Sequence, residues 1–279
     1  MSSRVIFAAL FLVCYAAGQV GQAQTEQAKL EDKDGRFALF ATEWLAEGLP
    51  TERITFTAIP ARGWFKDQGL TFSAGHLDGV IVRGSDGEMR LQDVDARENV
   101  RFDIESVDRD GRKSKSTMLS EWMTLSDDGE TAVVTFKEPF KYKMVSEIEF
   151  GHREIDLRGP SGTFVLPSLT AESTDAIPLR SAQVPGPVTV RITTTRREDD
   201  KPEEVQIYNM TAQSMTYDSK TRTLTFKGDV VTTIVTTTAD SEGDPITFRN
   251  DFVAITFDEN GEIANWSSGA GEAKIGGGE

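Results

Sequence analysis

The stretch that decides the fold is Met215-Thr216-Tyr217-Asp218, a polar turn over 219–222, and then Leu224-Thr225-Phe226-Lys227-Gly228-Asp229-Val230. On both sides of the turn, apolar residues alternate with threonine, and a period of two is typical of a half-buried β-strand. The alternation places the methionine, tyrosine, leucine and phenylalanine on one face and the threonines on the other. The stretch therefore predicts two antiparallel strands joined by a polar turn.

The same pattern occurs twice more along the chain. Met123-Thr124-Leu125 leads through a polar turn to Val134-Thr135-Phe136-Lys137-Glu138-Pro139-Phe140, and a weaker copy begins at Ile255-Thr256-Phe257-Asp258. A repeated strand–turn–strand unit indicates one architecture extended along an axis. The alternative is an ordinary antiparallel sandwich in which similar hairpins look alike.

Other segments after residue 50 also indicate strands. Sixteen of the 29 threonines fall between Gly186 and Asp258, and threonine favours the solvent face of a half-buried strand. Short charged loops separate strand-like runs, which predicts antiparallel hairpins with solvated tips. The paired runs are 100–105 with 118–125, 188–195 with 205–208, and 230–237 with 246–249.

The segment from 24 to 50 differs, because its apolar residues fall at helical spacing. Gly48-Leu49-Pro50 ends this pattern, so the spacing predicts a helix of about two turns. An edge strand is the alternative, because Ala38 and Leu39 also make the run apolar on other faces. The residues at helical spacing are Phe37, Phe40, Ala41, Trp44 and Leu45.

The N-terminus has the pattern of a cleaved signal peptide. Arg4 precedes an apolar run over 5–17, and small and polar residues follow as far as Ala23. The run is shorter than the roughly 20 apolar residues that span a bilayer, which argues against a membrane anchor. Cleavage after Ala23 would also remove Cys14, the single cysteine of the chain. We therefore expect an exported, periplasmic protein whose mature form has no thiol.

Composition excludes several classes of function. The formal net charge is −15, and nucleic-acid binding needs a basic surface, so a nucleic-acid partner is not expected. With two histidines and one cysteine, zinc sites, a Cys–His nucleophile pair and a disulfide framework are not expected either. We predict a soluble acidic protein that has no metal and no cofactor.

The sequence shows no recognisable catalytic arrangement. Ser161 lies between glycines but lacks the spacing of a nucleophile elbow. His76 and His152 have no nearby serine or cysteine in a catalytic pattern, and we expect both at the surface or at strand ends. The run 108–111 begins like a calcium loop but lacks the rest of the ligand pattern. A pair of carboxylates as in glycosidases is left open by the abundance of acidic residues, yet none is singled out.

The runs on either side of the 219–222 turn resemble a known family. The runs Ala212–Asp218 and Leu224–Val230 are similar to the repeating unit of the OstA-like proteins, in which an aromatic-aspartate turn leads to a strand ending in Gly-Asn/Asp-Val. The resemblance continues through 251–263 and the step Gly271-Glu272-Ala273. It is looser over 79–195, where Glu98-Asn99-Val100 echoes the Asn-Val strand end. The chain thus resembles the periplasmic bridge proteins of lipopolysaccharide transport, the LptA/LptC group.

The resemblance implies a fold and a function. The implied fold is all-β, an extended, open antiparallel β-jellyroll of repeated OstA-like hairpin units, whose apolar trough carries acyl chains from the inner to the outer membrane. The implied partners are lipopolysaccharide or another acylated lipid, and other jellyroll proteins that pair by edge-strand addition. No catalysis is expected. As a hypothesis, the trough is lined by Met215, Tyr217, Leu224, Phe226, Ile255 and Phe257.

Two alternatives come from other classes of protein. A secreted β-sandwich adhesion or structural module would use the same six side chains to fill a dry core. A carbohydrate-active jellyroll enzyme would place two carboxylates across a cleft. The predicted organisation of the chain is a signal peptide over 1–23, an N-terminal segment over 24–50, two jellyroll portions over 51–195 and 196–268, and a flexible tail over 269–279.

Overall fold

The structure is a computed structural model that describes residues 28–31, 35, 37–47, 53–65, 69–83, 89–107, 111–168, 179–197, 202–238, 241–258, 263–269 and 271–275. Within these ranges the chain forms 18 β-strands and no helix, and every strand pairing is antiparallel. All strands belong to one continuous sheet. The predicted all-β, extended antiparallel jellyroll is confirmed.

The first nine strands are β1 Ala28–Glu31, β2 Phe37–Glu47, β3 Arg53–Phe65, β4 Leu70–Ala74, β5 His76–Arg83, β6 Met89–Val107, β7 Lys113–Asp127, β8 Thr131–Phe136 and β9 Phe140–Ile148. The remaining nine are β10 Gly151–Gly159, β11 Gly162–Pro167, β12 Ser181–Arg196, β13 Glu204–Asp218, β14 Thr223–Thr238, β15 Ser241–Glu242, β16 Ile246–Phe257, β17 Ile263–Ser268 and β18 Gly271–Ile275.

The long strands bend near their middle and change partner there. In β6, the part over 89–97 pairs with β5, whereas the part over 101–104 pairs with β4. β7 pairs in the same way with β8 on one side of its bend and with β9 on the other. The bends of successive strands lie side by side, and we call this row the bend line.

The bend line divides the sheet into two half-sheets. Half-sheet 1 contains β5, β8, β11, β17 and the strand portions paired with them, and half-sheet 2 contains β4, β9, β10, β18 and their paired portions. Their inner faces contact each other. The ring of Phe164 in half-sheet 1 lies 5.5 Å from that of Phe140 and 5.7 Å from that of Tyr142, both in half-sheet 2. The core therefore lies between two faces of one folded sheet.

Left-handed backbone conformations produce several of the bends. Glu98 and Asn99 have φ values of 65° and 53°, and Gly228 and Asp229 have 76° and 47°. Each pair forms a bulge, at which the register between neighbouring strands shifts. A bulge adds a residue to one strand and bends it. These are the residues of the Asn-Val and Gly-Asp-Val strand ends noted in the sequence.

Of the buried apolar residues that the structure describes, all but Ala38, Ile54 and Ile148 form one continuous cluster from Leu39 to Phe257. The chain crosses between the half-sheets at the bend line, whereas the hairpins at the opposite side each stay within one half-sheet. Among the described residues, the side of the fold away from the bend line, which we call the mouth, is therefore closed by side-chain contacts rather than by chain crossings.

The structure confirms the three predicted hairpins and explains the internal repeat. Met123 pairs with Phe136 in half-sheet 1, and Met215 pairs with Phe226 in the same half-sheet. The two copies are thus the same structural unit, and β11 and β12 lie between them in half-sheet 1. The predicted boundary between 195 and 196 falls within a hairpin of the continuous sheet, at the end of β12.

Two expectations are corrected. The predicted helix over 37–45 is wrong, since β2 is a strand paired with β1 and β3. The tail expected from 269 includes β18, which pairs with the first half of β16. The predicted signal peptide and Cys14 lie outside the described residues. None of the described elements is a helix long and apolar enough to cross a membrane.

Candidate functional site

The six predicted lipid-binding residues share one surface, the inner face of half-sheet 1. Met215 pairs with Phe226, and Tyr217 pairs with Leu224, which in turn pairs with Ile255. Directly paired residues of a sheet share a face, so the structure brings the predicted set together. Phe257 continues the same face of β16, two residues after Ile255.

Each of these six side chains is at most 8% exposed and belongs to the continuous core cluster. They are therefore enclosed by other side chains in this conformation. Phe226 has no exposed surface at all, so a polar residue there would test folding before it tested ligand binding. That these residues contact lipid stays a prediction, and their enclosure is also what a dry core requires.

The interior is less enclosed at its C-terminal end. Ile234 in β14 and Phe248 in β16 lie on the inner face of half-sheet 2 and are half-buried. The ring of Trp266, in β17 of the opposite half-sheet, stacks on that of Tyr208 in β13, which pairs with Ile234. The ring centroids are 5.9 Å apart. Half-buried side chains facing the interior make this end more accessible than the fully buried surface around Phe226.

A row of polar residues crosses the inner face of half-sheet 2 near the mouth. Each member is directly paired with the next on the neighbouring strand, and we call the set the polar row. Its inward orientation follows from the burial of Ser114, Arg153 and Thr194, which are 8%, 2% and 5% exposed. The members, in strand order, are Ser106, Ser114, Ser146, Arg153, Thr194, Gln206 and Thr236.

Hydrogen bonds and a cation–π contact hold parts of this row. The hydroxyl groups of Ser106 and Ser114 are 2.7 Å apart, and the Tyr208 hydroxyl donates to Oε1 of Gln206 at 2.7 Å. Burial raises the pKa of Tyr208, so its hydroxyl is protonated at neutral pH. The Arg153 guanidinium lies 5.5 Å from the ring of Phe257 in half-sheet 1. Arg153 thus bridges the two half-sheets at the mouth.

A second concave surface lies on the outer side of the bend line. It is a crease with a cavity of about 770 Å³ over half-sheet 2. Three cations line it, but Arg101 is ion-paired with Asp103, and Lys141 and Arg158 are both paired with Asp156. These cations already have carboxylate partners, which makes the crease a weak candidate for an anionic ligand.

The residues considered for catalysis are not brought together. His76 begins β5 and is hydrogen-bonded to Asp78 at 2.9 Å, whereas His152 is exposed on β10. Ser161 lies in the turn between β10 and β11. Of the run 108–111, the structure describes Gly111, which is exposed. Within the described ranges, no group of three or more His, Cys, Asp or Glu side chains is arranged to hold a metal ion.

The polar row was missed in the sequence, although a signal for it exists. Arg153, Ile155 and Leu157 alternate along β10, which places the arginine on the same face as the two apolar residues. Charged residues ordinarily lie at the surface, but the period of two along β10 indicates the interior for Arg153. Thr232 was also expected on the solvent face and is instead fully buried.

Comparison of the chain with protein-family models, with curated proteins and with solved structures finds no match. The resemblance to OstA-like proteins therefore rests on the quoted residues alone.

Proposed function

We propose that the chain is a periplasmic lipid-binding bridge or shuttle that carries lipopolysaccharide, or another acylated lipid, between the inner and outer membranes. It acts without catalysis. The observation that carries the proposal is the construction of the interior: one continuous apolar surface between two half-sheets that the chain connects along the bend line. Such a fold can admit an acyl chain by separation of the half-sheets at the mouth, with the strands left intact.

The energetics of the interior suit this role. Each methylene group that moves from water into an apolar interior contributes about 0.8 kcal/mol, so one acyl chain would bind firmly. The inner surface is similar from strand to strand along the stacking direction, because Met123 and Met215 occupy equivalent places about 90 residues apart. Neighbouring positions of similar affinity allow a bound chain to move from one to the next.

The ends of the sheet support assembly with other jellyrolls. Among the described strands, β1 pairs with β2 alone, and at the other end β17 and β18 pair with β16 alone. Strands at an edge have backbone groups available for pairing with another sheet. Addition of strands end to end would extend the interior of one molecule into the next.

The experiment is mass spectrometry of organic extracts from the protein, purified gently from the periplasm of a Gram-negative host. We expect an acylated lipid at about one per chain or more. Phe248→Ser, at the half-buried inner face of β16, should lower this amount several-fold. Phe252→Ser is the matched control, because Phe252 is also half-buried on β16 but pairs with Lys227 on the outer face. A lipid-free wild-type protein that also fails to capture added lipopolysaccharide would overturn the proposal.

The second candidate is a secreted adhesion or structural module with a dry core. The observation in its favour is the packing of Phe136, Phe140 and Phe164, whose ring centroids lie 4.5 to 5.5 Å apart. These rings fill the interior near the bend line as in an ordinary sandwich. The lipid extraction separates the two candidates, since a dry core predicts no bound lipid in the wild-type protein.

A further inference from the structure

The outer face of half-sheet 2 is basic, although the chain as a whole has a net charge of −15. Directly paired residues form two rows across this face from β3 to β16, and their alternation with buried residues places them outward. The basic residues of the row nearer the bend line are Arg62, Arg101, Lys141, Arg158 and Arg249. This row has no acidic residue.

The second row lies next to the first, on the side toward the mouth. Its basic residues are Lys143 and Arg191, and its acidic residues are Asp103 and Asp156. With seven basic and two acidic residues, the two rows together have a net charge of +5. We call them the basic rows.

The outer face of half-sheet 1 has the opposite charge. Its two corresponding rows run over directly paired residues from Thr55 to Asn265 and from Thr57 to Ser267. These rows contain no lysine or arginine, and their charged residues are Asp78, Asp93, Asp95 and Asp218. The fold therefore sorts positive and negative side chains onto different outer faces.

Within the basic rows, the cations are more exposed than their carboxylate partners. The side chain of Asp103 is 16% exposed and that of Arg101 is 50% exposed, and the values for Asp156 and Arg158 are 18% and 62%. The ion pairs disfavour a single small anion in the crease. Attraction to an extended anionic surface depends instead on the net charge of the whole face.

Two aromatic side chains lie on the same face at its N-terminal end. Phe40 pairs with Arg62 of the first basic row, and Trp64 begins the second. Both are half-buried, and their ring centroids are 5.0 Å apart. Tryptophan and phenylalanine beside lysine and arginine are typical of surfaces that bind at the lipid–water interface.

We propose that the outer face of half-sheet 2 docks on a bilayer surface that contains anionic lipid, with the outer face of half-sheet 1 turned away from it. The basic rows cross ten strands, about 40 Å at the spacing of strands in a sheet, so their charge is distributed as it is on a membrane. Repulsion between the four aspartates and the same membrane favours this orientation. Docking of this face requires no lipid in the interior, so it goes beyond the proposed function.

The test is flotation of the protein, purified from the periplasm, with two kinds of vesicle. One kind contains phosphatidylcholine alone, and the other contains phosphatidylcholine and phosphatidylglycerol in equal parts. At about 0.05 M salt we expect binding to the anionic vesicles to be about tenfold or more tighter than to the neutral ones. Most of this preference should be lost at about 0.5 M salt, because salt screens exposed charges.

Charge reversal identifies the face that docks. Arg191 and Arg249 are exposed, and neither has a carboxylate partner among the described residues. Arg191→Glu together with Arg249→Glu should weaken binding to the anionic vesicles about tenfold or more. Lys220→Glu together with Lys227→Glu is the matched control, because these exposed lysines lie in half-sheet 1 and the net charge changes equally. Binding of the control should stay within about twofold of the wild type.

Tryptophan fluorescence measures the orientation independently. Brominated phosphatidylcholine in the anionic vesicles quenches a tryptophan that lies against the bilayer. Trp64→Phe should therefore remove most of the quenching. Trp122→Phe should retain it, because the Trp122 indole donates to Asp95 at 3.0 Å on the outer face of half-sheet 1.

Each contrary result overturns the docking face. Equal binding to neutral and anionic vesicles, equal weakening by the two double variants, or quenching that survives in Trp64→Phe would do so. Absence of vesicle binding, with capture of heparin that Arg191→Glu and Arg249→Glu abolish, would replace the bilayer by a soluble polyanion. The lipid extraction tests the proposed function separately, so either proposal can fail while the other stands.

Discussion

Asn99 in β6 and Asp229 in β14 occupy equivalent places in the fold, although 130 residues separate them. Both have a left-handed backbone, with φ of 53° and 47°, and each directly precedes a buried valine, Val100 or Val230. Asparagine and aspartate adopt this conformation more readily than most residues. In the sequence, the Asn-Val and Asp-Val pairs therefore mark positions of the bend line.

The first prediction tests the bend line at Gly228. Gly228→Ala should destabilise the fold by about 1–3 kcal/mol, because a left-handed backbone is costly for alanine and because the new Cβ would lie 2.9 Å from Cβ and Cγ of Gln213. The control is Gly111→Ala, which has a φ of +80° but no atom within 4 Å of the new Cβ. Urea unfolding should show a larger loss for Gly228→Ala. Equal losses would mean that the contact with Gln213 does not constrain position 228.

The sequence predicts the strands well because alternation directly reports burial. Met215, Tyr217, Leu224 and Phe226 are all buried, whereas Thr216 between them is exposed. This alternation holds within each half of a strand. It does not reveal which strand portions pair, since partner choice depends on where each strand bends.

The same bends explain the wrong prediction of a helix over 37–45. In β2, Ala41 pairs with the buried Ala61, and position 44 pairs with the buried Ala58. The positions of β2 that pair with buried residues of β3 therefore change from odd to even numbers at the bend. A strand with such a shift places apolar residues three and four apart, which is also the spacing of a helix. The polar row was missed for a different reason, because its serine, threonine, glutamine and arginine side chains are of types that ordinarily lie at the surface.

The second prediction concerns a close contact between Gly79 and Phe56, which are directly paired in β5 and β3. A Cβ at position 79 would lie 2.5 Å from Cζ of the Phe56 ring, so Gly79→Ala should cost about 1–3 kcal/mol. Phe56→Leu removes the ring atoms and should relieve this clash. In the double variant, we expect the loss of unfolding free energy to be smaller than the sum of the two single losses by roughly 0.5 kcal/mol or more. Additive losses in a double-mutant cycle would show that the ring does not constrain position 79.

The third prediction concerns the hydroxyl group of Thr232, which is fully buried on the inner face of β14 between the paired residues Met210 and Phe248. Among the described residues it has no hydrogen-bond partner. Thr232→Val keeps the shape and removes an unsatisfied polar group, so it should stabilise the fold by about 1 kcal/mol or more. Thr233→Val is the matched control, because the Thr233 hydroxyl lies 3.2 Å from that of Thr247 on the outer face. Destabilisation by Thr232→Val in thermal unfolding would show that this hydroxyl has a partner.

The fourth prediction concerns acid stability and the carboxylate of Asp103 on the outer face. Partial burial by itself would raise the pKa of Asp103, but hydrogen bonds from Arg101 at 2.5 and 2.9 Å and from Thr117 at 2.6 Å outweigh it and hold the pKa below its usual value of 3.8. A carboxyl group with a lowered pKa in the folded state stabilises the fold above its unfolded pKa. This contribution is lost as the pH falls through the folded pKa.

We therefore expect the contribution of Asp103 to the free energy of unfolding to be constant between pH 7 and 5 and to decline below about pH 4. Asp103→Asn should be less stable than the wild type at pH 7, and the difference should shrink toward pH 2, as measured by urea unfolding at each pH. Arg101→Gln should flatten the same decline, because it removes the main group that lowers the pKa of Asp103. A difference between wild type and Asp103→Asn that stays constant from pH 7 to pH 2 would show that the ionised carboxylate does not stabilise the fold.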